Sequence, residues 1–235
     1  MKLLAIDTAT ARSSVALWLD GEIIARESPT ERGHGGHILS LVDAVLSEGG
    51  TVLGALDALA FGRGPGAFTG IRLAASVTQG LAYAAELPVV PVSNLRALAQ
   101  QVIAPGGDPV RALVCLDARM AEVYWAGFLG VGGIARPDTP ERVEPAAQVL
   151  AASSSWVSEA ATIGTGSGFD VYPELAGLAS RLTGVRSARY PRAREIATLA
   201  AHDGLEAAVP AEQALPVYIR DRVAVVPADP GTGVS

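Results

Sequence analysis

With 235 residues, 49% of them hydrophobic and 18% charged, the chain has the composition of a globular protein and the length for one large domain or two small ones. Its formal net charge of −6 has the wrong sign for a protein that grips nucleic acid unaided. The apolar stretches are short and punctuated, and Met1-Lys2-Leu3-Leu4 runs into Asp7, so neither a membrane span nor a signal-peptide core is expected and the expected location is the cytoplasm.

Lys2 to Thr8 reads as a buried strand, Ser13 to Leu19 as a second and Glu22 to Glu27 as a third, with Asp20-Gly21 as the hairpin turn between the last two. Glu31 to Gly36 reads as a glycine-histidine loop. Ile38, Leu39, Leu41, Val42, Val45 and Leu46 then form one wide apolar stripe of a helix closed by Gly49-Gly50.

Leu56 to Gly62 is the next strand expected, followed by a loop in which four glycines and a proline fall between Gly62 and Gly70. Such a loop can hold an anion on free backbone N–H groups, or let another backbone approach where side chains are missing. A helix is expected from Thr69 to Ala85. Ile71, Ala74, Ala75, Thr78, Leu81, Ala82 and Ala85 fall on one side at helical spacing, enough to pack on a sheet. Arg72, Leu73, Ser76, Gln79, Gly80 and Tyr83 make up the other side, with small Ser76 and Gly80 one turn apart. A helix with so little charge on either side expects cover on both. Pro88 to Pro91 is a short extended piece, Ser93 an N-cap, Asn94 to Ile103 a helix, and Ala104 to Pro109 a boundary.

Beyond that boundary the pattern restarts. Leu4-Ala-Ile-Asp7 and Val114-Cys-Leu-Asp117 each precede a turn and then a strand carrying a tryptophan, Trp18 and Trp125. The second copy would comprise strands Arg111 to Asp117, Glu122 to Phe128 and one from Ile134, a helix from Pro145 to Ala152, a strand from Trp156 to Gly164 and a helix from Ala193 to Glu206. The expectation is an α/β protein of duplicated βββαβα lobes: residues 1–105 a first lobe, 106–222 a second and degenerate one, and 223–235 a flexible tail. Leu215 to Arg220 reads as extended. Lone Cys115 reads as a core strand residue. Arg181, Arg186, Arg189, Arg192 and Arg194 form either a solvated stretch or an anion or RNA contact.

Chemistry-bearing patterns are sparse. Three histidines, His34, His37 and His202, cannot supply a usual catalytic metal set, and His34-Gly-Gly-His37 offers only two ligands, so no metal site is expected. There is no G-x-S-x-G nucleophile motif. The first glycine loop lacks the lysine of a P-loop and the last glycine of a dinucleotide fingerprint. Even so, duplicated units that each open with a strand ending in Asp fit the actin, sugar-kinase and Hsp70 architecture, in which nucleotide lies between the halves. Asp7, Thr8, Thr10, Asp117, Gly164 and Gly166 are the residues of such a cleft here, functional or vestigial. Ala9 stands where that group's D-x-G-x-T pattern has a glycine, and its Cβ would crowd a phosphate.

Leu4 to Thr10, Gly62-Arg-Gly-Pro-Gly-Ala-Phe-Thr-Gly-Ile-Arg72, Leu116-Asp-Ala-Arg-Met-Ala-Glu-Val-Tyr-Trp125, Gly164-Thr-Gly166 and Pro216-Val-Tyr-Ile-Arg220 together resemble the TsaB (YeaZ) family of bacterial tRNA threonylcarbamoyladenosine synthesis, in order, from Lys2 to about Arg222. The resemblance implies an actin-like two-lobed fold without transferase activity or cofactor. It implies a heterodimer with the transferase TsaD through first-lobe helices, recruitment of the ATPase TsaE, homodimers when the chain is alone, and contact with tRNA only through the complex. By position it puts the interface on Ile38, Leu41, Val42 and Val45 of the first helix and on Arg72, Leu73, Ser76, Gln79, Gly80 and Tyr83 of the long one. Two rival readings remain: an actin-like enzyme that binds or hydrolyses nucleotide with Asp7 and Asp117, and a glycoprotease-type peptidase, for which neither metal ligands nor a nucleophile motif are present.

Overall fold

The central strands are runs of small and branched apolar residues that bury both faces, a pattern that requires layers of helix on each side of a sheet. A computed structural model describes residues 1–29, 34–103, 110–186 and 190–220. The first half contains β1 (Lys2–Asp7), β2 (Arg12–Leu19), β3 (Glu22–Pro29), α1 (His34–Glu48), β4 (Ala58–Gly62), α2 (Phe68–Ala85), β5 (Val89–Val92) and α3 (Asn94–Gln100). Its sheet runs β3-β2-β1-β4-β5. The first three strands pair antiparallel, whereas β4 and β5 join parallel.

The second half contains β6 (Arg111–Asp117), β7 (Glu122–Val131), β8 (Ile134–Pro137), β9 (Arg142–Pro145), α4 (Ala146–Ser158), β10 (Thr162–Thr165), α5 (Gly168–Val171), α6 (Ala176–Ala179), β11 (Gly184–Arg186) and α7 (Ala193–Asp203). Its sheet runs β11-β10-β6-β7-β8, with β9 added along β7. Every pairing repeats its counterpart: β6, β7 and β8 antiparallel, β10 and β11 parallel. The duplication read from two Asp-ended strands is thus present strand for strand, and the fold is actin-like.

Alternation along β1 splits the core. Leu4 and Ile6 face α1 and α2, together with Ile38, Val42, Val45, Ala74 and Ala82. Leu3 and Ala5 face the other way, into a cluster shared with α3, α7 and the second sheet. There the expected order is overturned in one respect. The helix expected near Ala193 as part of the second repeat packs on β1, β2 and β4 of the first sheet, while α3 lies against β6, β7 and β8 of the second. Polar ties fix this exchange: Arg96 Nε donates to Ala135 O (2.7 Å) and Nη2 to Asp203 (2.9 Å), Gln100 Nε2 donates to Gly133 O (2.8 Å), and Ala193 N donates to Ser14 Oγ (2.9 Å).

Several boundaries differ from expectation. His34, Gly35 and Gly36 belong to α1 rather than to a loop, and α3 ends at Gln100. The strand expected from Trp156 is the last turn of α4, where Ala146, Val149, Ser153, Trp156 and Val157 share the buried face at helical spacing. Trp156 lies against Gly127, whose Cβ would come within 2.6 Å of the indole, and under the Arg111 guanidinium at 4.2 Å. The strand proper is only Thr162–Thr165. Ser93 caps α3 as expected, its Oγ accepting from Arg96 N (3.1 Å). The boundary at 104–109, Arg189 and the tail from 223 lie outside the described residues. Among the described residues no helix is long and apolar enough to cross a membrane.

Candidate docking face and interlobe cleft

Each glycine of the first loop decides between the loop's two possible uses. A Cβ on Gly70 would lie 2.0 Å from Thr8 O, and one on Gly66 would lie 2.7 Å from both Ala9 Cβ and Ala9 O. Ala67 N donates to Ala9 O (2.7 Å), and Thr8 Oγ1 donates to Gly70 O (2.6 Å). The missing side chains therefore let α2 press its first turn onto the β1–β2 turn, and Gly66 and Ala67 of that loop line the cavity described below. The second loop repeats this: Cβ atoms on Gly166 (φ +108°) and Gly168 would meet Cys115 O at 2.4 and 2.8 Å, and one on Gly164 would meet Leu182 and Phe169. The Cys115 thiol is buried, and desolvation pushes its pKa up.

The six cleft residues named from the sequence do not converge. Asp7 and Thr8 are fully buried. Asn94 Nδ2 donates to Asp7 Oδ1 (2.5 Å), and Asn94 Oδ1 accepts from Gly64 N (2.7 Å), so Asp7 anchors the glycine loop from below instead of facing a ligand. Its Oδ2 has no partner, and burial pushes its pKa up to about 7 against the opposing effect of bonds from Asn94 and Ala9 N–H. Thr10 and Asp117 do line an interlobe cavity of about 450 Å³, but Gly164 does not. Asp117 Oδ1 accepts from Tyr172 OH (2.6 Å) and Arg119 N (2.7 Å), and Oδ2 pairs with Arg119 (3.2 Å). Burial and that carboxylate hold the Tyr172 phenol at about 12. Among the described residues no group of three or more His, Cys, Asp or Glu side chains could hold a metal ion.

The outer side of α2 is a different kind of surface. Arg72, Ser76, Gly80 and Tyr83 are exposed, Tyr83 at 81%, while Leu73 and Gln79 are half-buried. Of the inward set, Ile71, Ala74, Ala75, Thr78 and Ala82 are buried as the spacing predicts, and Leu81 and Ala85 are half-buried. A Cβ on Gly80 would touch nothing. The expected contribution of α1 requires correction: Ile38, Val42 and Val45 are buried in the first-lobe core and Leu41 is half-buried beside it. That stripe, Leu39 apart, is the inward face of α1; Leu39 is 46% exposed.

Sequence reading missed the residues that complete the α2 face. Ala211 and Glu212 border the shallow groove beside Ser76, Gln79, Gly80 and Tyr83. The extended piece expected at Leu215 to Arg220 is a strap across the cleft mouth. Val217 N donates to Arg63 O (2.8 Å) on the first lobe, and Arg220 donates to Ala118 O (3.0 Å) and pairs with Glu122 on the second. Tyr218 sits between these tethers, 5.9 Å from the Phe68 ring. The only signal in the sequence was Pro216-Val-Tyr-Ile-Arg220, which says nothing of where it docks.

The family description "TsaD: tRNA N6-adenosine threonylcarbamoyltransferase" matches residues 28–228. The tRNA threonylcarbamoyladenosine biosynthesis protein TsaB of Escherichia coli (strain K12) is 39% identical over 232 residues, spanning 95% of this chain and 96% of that protein. Two solved Pseudomonas aeruginosa structures are similar throughout. A YeaZ structure is 37% identical and covers 92% of this chain and 99% of its own, with a TM-score of 0.79. A protein described as uncharacterized with similarity to peptidase YeaZ is 38% identical and covers 93% and 99%, with a TM-score of 0.81. The chain belongs to the TsaB (YeaZ) family.

Proposed function

We propose that the chain is a non-catalytic subunit of the machinery that makes threonylcarbamoyladenosine on tRNA, that it binds and activates the transferase TsaD through the outer face of α2, and that the pair engages the ATPase TsaE. The observation that carries this reading is the uncovered, nearly uncharged side of α2, where Ser76 and Gly80 leave room for a second helix to pack closely. The relatives' names supply the pathway. Glycines that serve close approach of neighbouring backbone and a buried Asp7 favour a docking subunit over a nucleotide-hydrolysing one. Contact with tRNA comes only through the complex, consistent with the net charge of −6. In the absence of TsaD the same face pairs two copies. The location that goes with this role is the cytoplasm.

The test is reconstitution: gel filtration of the chain with the cognate TsaD and TsaE, and a tRNA modification assay with each protein omitted in turn. The expected result is a TsaD complex, and modification lost when this chain is left out. Full modification without it, or nucleotide turnover by the chain alone, would overturn the reading.

A further inference from the structure

At the N-terminal end of the α2 face, three side chains from two distant segments form one cluster. The Arg72 guanidinium lies 3.7 Å from the centroid of the Phe68 ring and 5.6 Å from that of Tyr218, and its Nε donates to Tyr218 OH (2.8 Å). Phe68 and Tyr218 remain exposed at 43% and 44%. Tyr218 is held in place because the residues on either side are tied down, Val217 to the glycine loop and Arg220 to the second lobe. The geometry occupies Nε and one face of the guanidinium. No carboxylate among the described residues pairs with Arg72, which is exposed. An arginine fixed in its rotamer between aromatic rings loses little entropy on binding, and its remaining N–H fork matches the two oxygens of a carboxylate.

We propose that Phe68, Arg72 and Tyr218 are a preassembled anchor that receives a side-chain carboxylate of the transferase, so that the docking face extends from α2 onto the strap. This rests on the partner reading above. A side-chain carboxylate matches that fork, and of the adjoining loop amides Ala67 N–H is already bonded to Ala9 O. Clusters of arginine and aromatic side chains of this kind carry a disproportionate share of binding energy at protein interfaces.

The test measures affinity for the cognate TsaD by calorimetry at low and high salt, for the unaltered chain and for Arg72→Gln, Arg72→Lys and Tyr218→Phe. Arg72→Gln is expected to weaken binding about tenfold or more and to remove most of the salt dependence. Arg72→Lys keeps the charge but not the fork or the stack, and should recover only part of the loss. Tyr218→Phe keeps the ring and removes the hydroxyl that accepts from Nε, for an expected loss of a few-fold. Melting temperatures of all three should stay near the unaltered value, since these side chains are exposed. Binding by Arg72→Gln within about twofold of the unaltered chain at both salts would overturn the anchor while leaving the partner reading intact. So would loss of self-association alone with TsaD affinity unchanged, which would assign the cluster to a second copy. No binding by the unaltered chain would remove the partner reading, and the anchor with it.

Discussion

Gly80→Leu should make the folded chain more stable and its complex weaker, a combination that separates docking from folding. Gly80 lies inside the 18-residue α2, on the exposed side, with nothing within 4 Å of the position its Cβ would take. Replacing a helix-interior glycine by a good helix former gains about 0.8–1 kcal/mol when the side chain has room. For a chain of this size that raises Tm by about 2–4 °C. A helix packed over Ser76 and Gly80 would approach to about 8–10 Å between axes, and an added leucine would over-pack it. Over-packing costs about 1–3 kcal/mol, or roughly 5–150-fold in affinity. Thermal unfolding of the monomer and titration with TsaD read the two effects separately, and Gly80→Ala should show the first with little of the second. A lowered Tm would refute the claim that this side is open. A raised Tm with unchanged affinity would refute the claim that it docks.

Asp7→Asn should flatten the dependence of stability on pH. Because its pKa is raised to about 7, folded Asp7 keeps a proton that the unfolded chain releases near 3.8. Its contribution is complete below the unfolded value and declines as pH rises towards 7, by up to about 4 kcal/mol at ~1.4 kcal/mol per pH unit. Urea titrations across pH 4 to 8 should show that decline only in the unaltered chain, and equal slopes would contradict it. Gly70→Ala should destabilise by about 3 kcal/mol or more, because the added Cβ meets the Thr8 carbonyl at 2.0 Å and backbone must move; urea unfolding of the variant measures this, and a loss below about 1 kcal/mol would mean the contact relaxes freely. Calorimetry of the isolated chain with ATP and magnesium should register no tight binding, whereas a saturable, stoichiometric heat would show that the cleft accepts phosphate.

Periodicity alone separated the buried side of α2 from its open side. The two sides of α2 separate in the letters because seven small or apolar residues recur at helical spacing, and five of them, Ile71, Ala74, Ala75, Thr78 and Ala82, are buried. The duplication was legible for a similar reason, since each repeat must open with a strand buried on both faces. Spacing on α1 gave the right stripe but could not say which way it points: a stripe of Ile38, Val42 and Val45 looks the same whether it meets a partner or its own sheet. Burial of Asp7 was invisible because it depends on Asn94, distant in sequence, reaching the end of β1. The exchange of α3 and α7 depends on ties such as that of Arg96 to Ala135 and Asp203, which no local pattern encodes.

That exchange bears on how the two halves are held together. A hinge between lobes needs few contacts across it, yet here α3 and α7 lie in one apolar cluster with both sheets. Arg63 of the glycine loop reaches Glu141 of the second lobe through two bonds of 3.2 and 3.3 Å, and the strap ties the same loop to the β6–β7 turn. Closing or opening the lobes would break these ties together. The orientation of α2 is then fixed by the second lobe as well as by its own, because the loop that starts it is held from both sides. On the proposed docking reading, the second lobe supports the α2 face both by holding the loop that starts it and by supplying Tyr218 from the strap.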